Sequence, residues 1–259
     1  MTPTRTRRTV SLWACSIATA VALASATGAQ SRPVRVLASN GVKAVVEELV
    51  PQCEKAIGRP LSIEFNSSTA LKQGIDKGEP FDVAIVTSEM MDQLIKEGRI
   101  TPATRAAVAK SGIGVGIRAG ARKPDIRTAD SIKRTLLDAR GIAYAADGAS
   151  RPHIVRMLER LGIADEVGRK AILEQGSIRS AGRVVNGDAE LLITLNSEIL
   201  PIKGMELVGS LPAEFQSYVT LVAGAGSKAA DPVAAKAVIA FLTGPGVEPT
   251  LKAKGMEKP

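Results

Sequence analysis

The stretch FNSSTALKQGIDKGEPFDVAIV, residues 65–86, contains a strand–helix–strand pattern. It begins at the end of an apolar segment, 61–65, that predicts a strand, and it continues into a short helix predicted over 69–77. Gly78-Glu79-Pro80 then separates this helix from the apolar run 81–86, which predicts the next strand. Strands that alternate with helices are typical of α/β folds, in which helices cover the faces of a mainly parallel sheet.

The same alternation continues on both sides of this stretch. Upstream, 34–38 predicts a strand and 42–57 a helix that contains a potential break at Pro51. Further strands are predicted at 112–117, 142–146, 191–195, 206–208 and 218–223, and further helices at 88–97, 131–138, 152–161, 179–186 and 232–242.

The N-terminus is typical of a signal peptide. Arg5, Arg7 and Arg8 precede an apolar stretch over 10–24, and small residues suited to cleavage follow in Ala24-Ser25-Ala26 and in Thr27-Gly28-Ala29. A membrane anchor is the alternative, but a bilayer-spanning helix needs about 20 apolar residues. We therefore predict a signal peptide over 1–29 and a periplasmic product. The sequence does not choose between the two cleavage sites, or between the general and the twin-arginine export routes.

Composition excludes several classes of protein. Loss of the leader would leave Cys53 alone, so no internal disulfide is expected, and Cys53 is interpreted as a small buried hydrophobic residue. His153 is the only histidine, and we expect neither a metal site nor a cofactor. The net charge of +8 falls to about +5 without the three leader arginines, and basic residues are scattered among few aromatics. That pattern does not favour nucleic-acid binding, but a positive field suits small anions.

Small polar residues follow three of the predicted strands. They lie in Ser39-Asn40-Gly41, Asn66-Ser67-Ser68-Thr69 and Asp147-Gly148-Ala149-Ser150-Arg151. Ligands of open α/β sheets bind beyond the carboxyl ends of the strands, where helix N-termini and hydroxyls hold anions. Each serine could instead be only a helix N-cap. Their presence at all three junctions favours a binding site.

Phe65-Asn66-Ser67-Ser68-Thr69, followed by Gly78-Glu79-Pro80-Phe81-Asp82, resembles the periplasmic molybdate-binding proteins of ABC transporters. The resemblance implies the type II periplasmic binding protein fold, with two α/β lobes and a ligand cleft between them. The glycine-rich strand 112–117 could carry the chain from one lobe to the other. We predict lobe one at about 32–110 plus 205–259, and lobe two at about 111–204.

The resemblance also implies site residues. Ser68 matches a ligand-binding serine, whereas the serine of the first turn is replaced by Gly41, with Ser39 and Asn40 beside it. Backbone contacts of the family correspond to Ser150 and Ile178, and the family's tyrosine is replaced at 195–196. Two lost hydroxyls disfavour a tetrahedral metal oxyanion. The predicted ligand-binding set is Ser39, Asn40, Ser67, Ser68, Ser150, Arg151, Ile178 and Arg179.

Arg151 and Arg179 favour a different ligand, because guanidinium groups bind carboxylates through paired hydrogen bonds. Either arginine could instead face solvent or pair with a nearby acid. The leading prediction is a monomeric solute-binding protein that captures a molybdate-like oxyanion or a di- or tricarboxylate for an ABC permease. The alternative is an enzyme, since periplasmic aconitate isomerase is similar to this family. His153 or Glu198 would then be the catalytic base.

Overall fold

A computed structural model describes residues 1–2 and 32–259. Nearly all of the predicted signal peptide, 1–29, therefore lies outside the described residues. The strands are β1 (Val34–Ser39), β2 (Leu61–Asn66), β3 (Val83–Thr87), β4 (Ala106–Arg118), β5 (Ile142–Ala145), β6 (Ala171–Glu174), β7 (Leu191–Leu195), β8 (Met205–Ser210) and β9 (Tyr218–Ala225).

Ten α-helices lie in the described part of the chain, with three short 3-10 turns at 40–42, 102–104 and 245–247. The helices are α1 (Lys43–Ile57), α2 (Ser68–Asp76), α3 (Ser88–Lys96), α4 (Ala129–Asp138), α5 (Arg151–Leu161), α6 (Ala164–Gly168), α7 (Ser177–Val185), α8 (Asn196–Ile199), α9 (Pro232–Thr243) and α10 (Glu248–Ala253). None of them is long and apolar enough to cross a membrane.

The sheet is mixed rather than mainly parallel. Its order is β2-β1-β3-β9-β4-β7-β5-β6, and β8 also pairs with β4. At one end β1 is parallel to β2 and β3, and at the other β5 is parallel to β6 and β7. In the centre, β9 runs antiparallel to β3 and β4, and β4 runs antiparallel to β7 and β8. The α/β class is confirmed, with parallel strands confined to the two ends.

Strand β4 joins the two ends of the sheet. The sequence predicted a strand over 112–117, and the strand extends from Ala106 to Arg118. Residues 106–112 pair with β9, whereas residues 113–118 pair with β7 and β8. One long strand therefore contributes to both groups of strands. The predicted lobe boundaries remain a prediction.

Helix α1 continues through Pro51, so the potential break does not occur. Its apolar face packs into the core, where Cys53 is 1% exposed, as predicted. Burial raises the pKa of the Cys53 thiol to about 11, with a smaller effect from the neighbouring carboxylate of Glu54. Cys53 is thus an inert packing residue.

Asp82, the last residue of the Gly-Glu-Pro-Phe-Asp motif, connects separate elements. Its buried carboxylate accepts hydrogen bonds from the backbone N–H of Arg35 at 2.8 Å and of Ala230 at 2.7 Å. These bonds link β1 and the segment before α9 to the start of β3. The motif therefore has a structural role away from the strand ends at which we expected the ligand.

Candidate functional site

Three strand-to-helix junctions meet at one carboxylate. Asp147, which follows β5, accepts a hydrogen bond from Ser67 Oγ at 2.6 Å through Oδ2. It accepts another from the backbone N–H of Gly176 at 2.8 Å through Oδ1. Ser67 lies between β2 and α2, and Gly176 lies between β6 and α7. The carboxyl ends of strands from both ends of the sheet thus converge on Asp147.

A cavity of about 260 Å³ lies beside these junctions, and we call it cavity one. Polar groups from the first turn, from the start of α7 and from α8 share its wall with apolar side chains. It is lined by Asn40, Lys43, Ala44, Glu47, Ser177, Ile178, Ser197, Glu198, Pro201 and Ile202. The Oγ of Ser197 is buried without a hydrogen-bond partner among the described residues. An unsatisfied buried hydroxyl is costly unless a water or a ligand bonds to it.

Glu198 is the acidic group of α8 in this cavity. Its carboxyl accepts a hydrogen bond from Thr194 Oγ1 at the end of β7. Burial raises the pKa of Glu198, and the negative charge of Asp147 adds to this effect. Hydrogen bonds from Thr194 and Ser177 oppose the rise. A carboxyl group with a raised pKa is a stronger base in its ionised form than an ordinary glutamate.

A second cavity of about 310 Å³, cavity two, includes Asp147 in its wall. It is lined by Ser68, Thr69, Thr87, Glu89, Met90, Asp147, Gly148, Ala149, Pro152, His153, Arg156, Tyr218 and Val219. His153 Nδ1 lies 2.7 Å from Arg156 Nη2. Burial lowers the pKa of His153, and the positive charge of Arg156 lowers it further. The imidazole is therefore neutral at neutral pH.

A cavity of about 650 Å³, larger than cavities one and two, lies elsewhere. Arg140 and Glu190, which precede β5 and β7, form part of its wall together with Arg118. It is thus at the amino ends of β5 and β7 and includes no residue of the three junctions. We place the candidate site at cavities one and two, because parallel strands present ligand-binding loops at their carboxyl ends. No cluster of potential metal ligands occurs in the described chain.

Comparison with known proteins shows the family. The profile of the bacterial extracellular solute-binding proteins matches residues 34–257. The chain belongs to this family.

Two curated relatives cover most of the chain. An aconitate isomerase of a Pseudomonas species is 31% identical over an alignment of 249 residues that covers 92% of this chain and 94% of that protein. The molybdate-binding protein ModA of Azotobacter vinelandii is 24% identical over an alignment of 237 residues that covers 89% of this chain and 92% of that protein.

Solved structures show the same fold. The periplasmic molybdate-binding protein of Azotobacter vinelandii matches with a TM-score of 0.75 at 20% identity, covering 87% of this chain and 99% of that one. The sulfate-binding protein SubI of Mycobacterium tuberculosis H37Rv matches with a TM-score of 0.69 at 16% identity, covering 87% and 86%. The predicted type II periplasmic binding protein fold is confirmed.

The predicted serines and Asn40 lie at the junctions, and several have structural partners. Ser39 Oγ accepts from the backbone N–H of Gly41 at 3.3 Å, and Ser68 Oγ accepts from that of Thr87 at 3.2 Å. Ser67 is the N-cap of α2 and also donates to Asp147. Only Asn40 and Ser68 of these residues line a cavity. The two capping serines, Ser39 and Ser67, thus adjoin the residues that line the cavities.

The residues predicted near α5 and α7 are more dispersed. Ser150 is buried immediately before α5, and Ile178 is 51% exposed at the rim of cavity one. Arg151 Nη1 donates to the carbonyl of Ala146 at 2.5 Å, and Arg179 Nε donates to that of Gln175 at 2.7 Å. Neither arginine lines cavity one or two. Carboxylate binding by the two arginines remains a prediction.

The polar residues that sequence reasoning missed as ligand-binding candidates include Asp147, Ser177 and Ser197. Ser177 follows β6, a four-residue strand without a strong apolar run, so that junction was not predicted. Asp147 was quoted within its junction, but not as a residue of the ligand-binding set. Ser197 adjoins Glu198, and a hydroxyl next to the alternative base was a signal that could have identified it.

Proposed function

We propose that this protein binds a small polycarboxylate at cavities one and two and isomerises an unsaturated tricarboxylate of the aconitate type. The enclosed carboxyl of Glu198, beside Asn40, Ser177 and Ser197 in cavity one, carries this proposal. The similarity to an aconitate isomerase over 92% of the chain supports it. A binding protein requires no proton carrier, whereas an isomerase of this type does.

The reaction needs one proton to move between two carbon atoms. Ionised Glu198 removes a proton from the methylene carbon α to a carboxylate, and the electron pair delocalises over the adjacent double bond. Protonated Glu198 then returns the proton to the other end of the allylic system, which relocates the double bond. Atoms and charge balance, and the reaction consumes no cofactor. The raised pKa supports this role, because it makes the ionised carboxylate a stronger base than an exposed glutamate.

The acidic groups of the cleft also bear on the ligand. Asp147 and Glu198 add negative charge and hydrogen-bond acceptors to the site. The hydroxyl of Ser197 and the side chain of Asn40 can still bind a carboxylate. These features support a carboxylate ligand that is placed next to a base.

Turnover in a Glu198→Gln variant tests the proposal. Glutamine keeps the shape of the side chain but cannot accept a proton, so interconversion of cis- and trans-aconitate, followed by proton NMR, should slow about 100-fold or more. Binding should persist. Glu166→Gln on the exposed surface of α6 is the matched control. Turnover of a His153→Asn variant, measured in the same assay, tests the other candidate base. Full turnover without Glu198 would exclude it as the base.

A transport receptor is the second candidate. The hydroxyl-rich junction at Ser67 and Ser68 and the similarity to ModA support this function. Such a receptor would be exported to the periplasm by the leader at 1–29, would act as a monomer with two lobes, and would deliver its anion to an ABC permease. A thermal-shift panel of molybdate, tungstate, sulfate, phosphate, citrate and both aconitates distinguishes the candidates. Stabilisation without turnover supports the receptor.

A further inference from the structure

The carboxylate of Asp147 is bound in the way that a ligand carboxylate would be. One oxygen accepts from Ser67 Oγ at 2.6 Å and the other from Gly176 N–H at 2.8 Å. The two donors are 109 positions apart in the chain and belong to junctions after β2 and β6. Asp147 itself belongs to a third junction, so its side chain joins elements that the local chain does not connect.

The two donors are suited to an anion. Ser67 is the N-cap of α2, where its Oγ also accepts from the N–H of Ala70 at 3.1 Å. Gly176 directly precedes α7 with a φ of 79°, a left-handed conformation that favours glycine and turns its N–H toward Asp147. Negative charge is stabilised at helix N-termini, and the charge present here belongs to the protein itself.

An independent feature, a buried hydroxyl without a partner, lies in a cavity next to these donors. Ser197, whose buried Oγ has no partner among the described residues, lines cavity one together with Ser177 and Glu198. Ser177 follows Gly176 directly, and Asp147 is close enough to Glu198 to raise its pKa. On the other side, Asp147 lines cavity two with Ser68, which follows Ser67. The carboxylate of Asp147 therefore lies between the residues that line the two cavities.

We propose that Ser67 Oγ and Gly176 N–H form a carboxylate subsite, and that Asp147 competes with one carboxylate of the ligand for it. This inference rests on the proposed function in that it assigns a place to one substrate carboxylate. Displacement of Asp147 would open the passage between cavities one and two, so that a ligand longer than a tetrahedral oxyanion could span both. It would also move a negative charge away from the ligand.

Chemical complementation of an Asp147→Ala variant tests the inference without any tricarboxylate. Truncation leaves the two donors without their carboxylate, and formate or acetate should replace it. We expect saturating formate to raise the melting temperature of Asp147→Ala by about 3 °C or more, measured against sodium chloride of equal ionic strength. Wild type and an Asp165→Ala control, exposed on α6, should not respond. The Ser67→Ala, Asp147→Ala double variant should lose the response.

Absence of a formate response in Asp147→Ala would overturn the inference, as would an equal response in wild type. If Asp147→Ala does not fold, the Asp147→Asn variant tests the inference instead, because asparagine keeps the shape of the side chain and removes the competing charge. It should bind aconitate about tenfold more tightly than wild type in calorimetry, and weaker binding would make Asp147 a ligand contact or a structural bridge. A formate response in a protein that binds no tricarboxylate would reject the proposed function and retain the subsite.

Discussion

At the scale of single residues, the environment of Glu198 decides its chemistry. Its carboxyl is enclosed by α8 and its neighbours, so desolvation disfavours the charged form, and Asp147 adds repulsion. Hydrogen bonds from Thr194 and Ser177 stabilise the ionised form of Glu198 and partly offset the rise of its pKa. The same carboxyl on the protein surface would be fully ionised near pH 7 and would be a weak base. Enclosure thus raises its basicity, which the proposed role of Glu198 as the base requires.

The stability of the protein should therefore depend on pH through Glu198. Because its folded pKa is raised above the unfolded value near 4.5, the native state retains a proton that the unfolded state has lost. Its contribution to the free energy of unfolding is present below pH 4.5 and is lost as pH rises through the raised pKa. We expect Glu198→Gln to gain melting temperature relative to wild type between pH 4.5 and pH 8, measured by thermal unfolding.

Glu190 provides the opposite control for this measurement. Hydrogen bonds from the backbone and side chain of Arg140 lower the pKa of Glu190, so its stabilising contribution is present above the unfolded pKa and is lost as pH falls. Glu190→Gln should lose melting temperature at neutral pH, and only slightly because the pair is exposed. A pH-independent difference between Glu198→Gln and wild type would contradict the assigned burial effect.

At the scale of elements, β4 and β8 approach each other closely. A Cβ added at Gly114 of β4 would lie 2.7 Å from the carbonyl oxygen of Gly209 in β8, and it would also clash with Asn196 Oδ1. The ladder between the two strands changes register after Val115. Glycine is thus required at position 114 because of a close backbone approach.

Gly114→Ala should consequently destabilise the protein. The added methyl group would overpack this contact, because the neighbouring atom belongs to the backbone of Gly209 and cannot move aside. We expect a loss of about 1–3 kcal/mol in the free energy of unfolding. Gly182→Ala is the matched control, since an added Cβ in α7 meets nothing within 4 Å, and it should stabilise the protein by about 0.4–1 kcal/mol. Urea denaturation measures both values. Equal effects of the two substitutions would show that the approach of β8 is unimportant.

At the scale of the whole molecule, the described chain from 32 to 259 forms one compact unit. The two halves of β4 pair with strands toward opposite ends of the sheet. Unfolding of β4 would therefore remove hydrogen bonds from both groups of strands. The main core cluster also contains residues of both ends, including Val36 in β1 and Ile142 in β5. These shared elements favour cooperative unfolding.

We therefore expect a single unfolding transition even though the family fold has two lobes. Calorimetry of residues 31–259 should give one peak whose calorimetric and van't Hoff enthalpies agree. Gly114→Ala should shift that whole peak to lower temperature. Two resolved transitions, of which only one moves in the variant, would show that the lobes unfold independently.

The sequence by itself determined the α/β class, most of the elements and three of the junctions at which the site forms. Apolar runs and helical periodicity are local properties, and they located β7 at Leu191–Leu195 without error. Hydroxyl groups after β1 and β2 likewise follow from local order. The antiparallel centre of the sheet was not predictable from these patterns, since strand direction depends on how distant segments pair. The short, partly exposed β6 lacks the apolar run that would predict it.

Only the tertiary structure decided how the site side chains are used. Arg151 and Arg179 donate to nearby carbonyl oxygens. Their hydrogen-bond partners depend on side-chain rotamers and on the packing around them, which sequence spacing does not specify. Asp147 meets Ser67 and Gly176 because the carboxyl ends of β2 and of the oppositely directed β5 and β6 come together, although these residues are far apart along the chain. The raised pKa of Glu198 arises from burial by other elements. Desolvation and convergence are properties of the packed chain, so residue order alone could not reveal them.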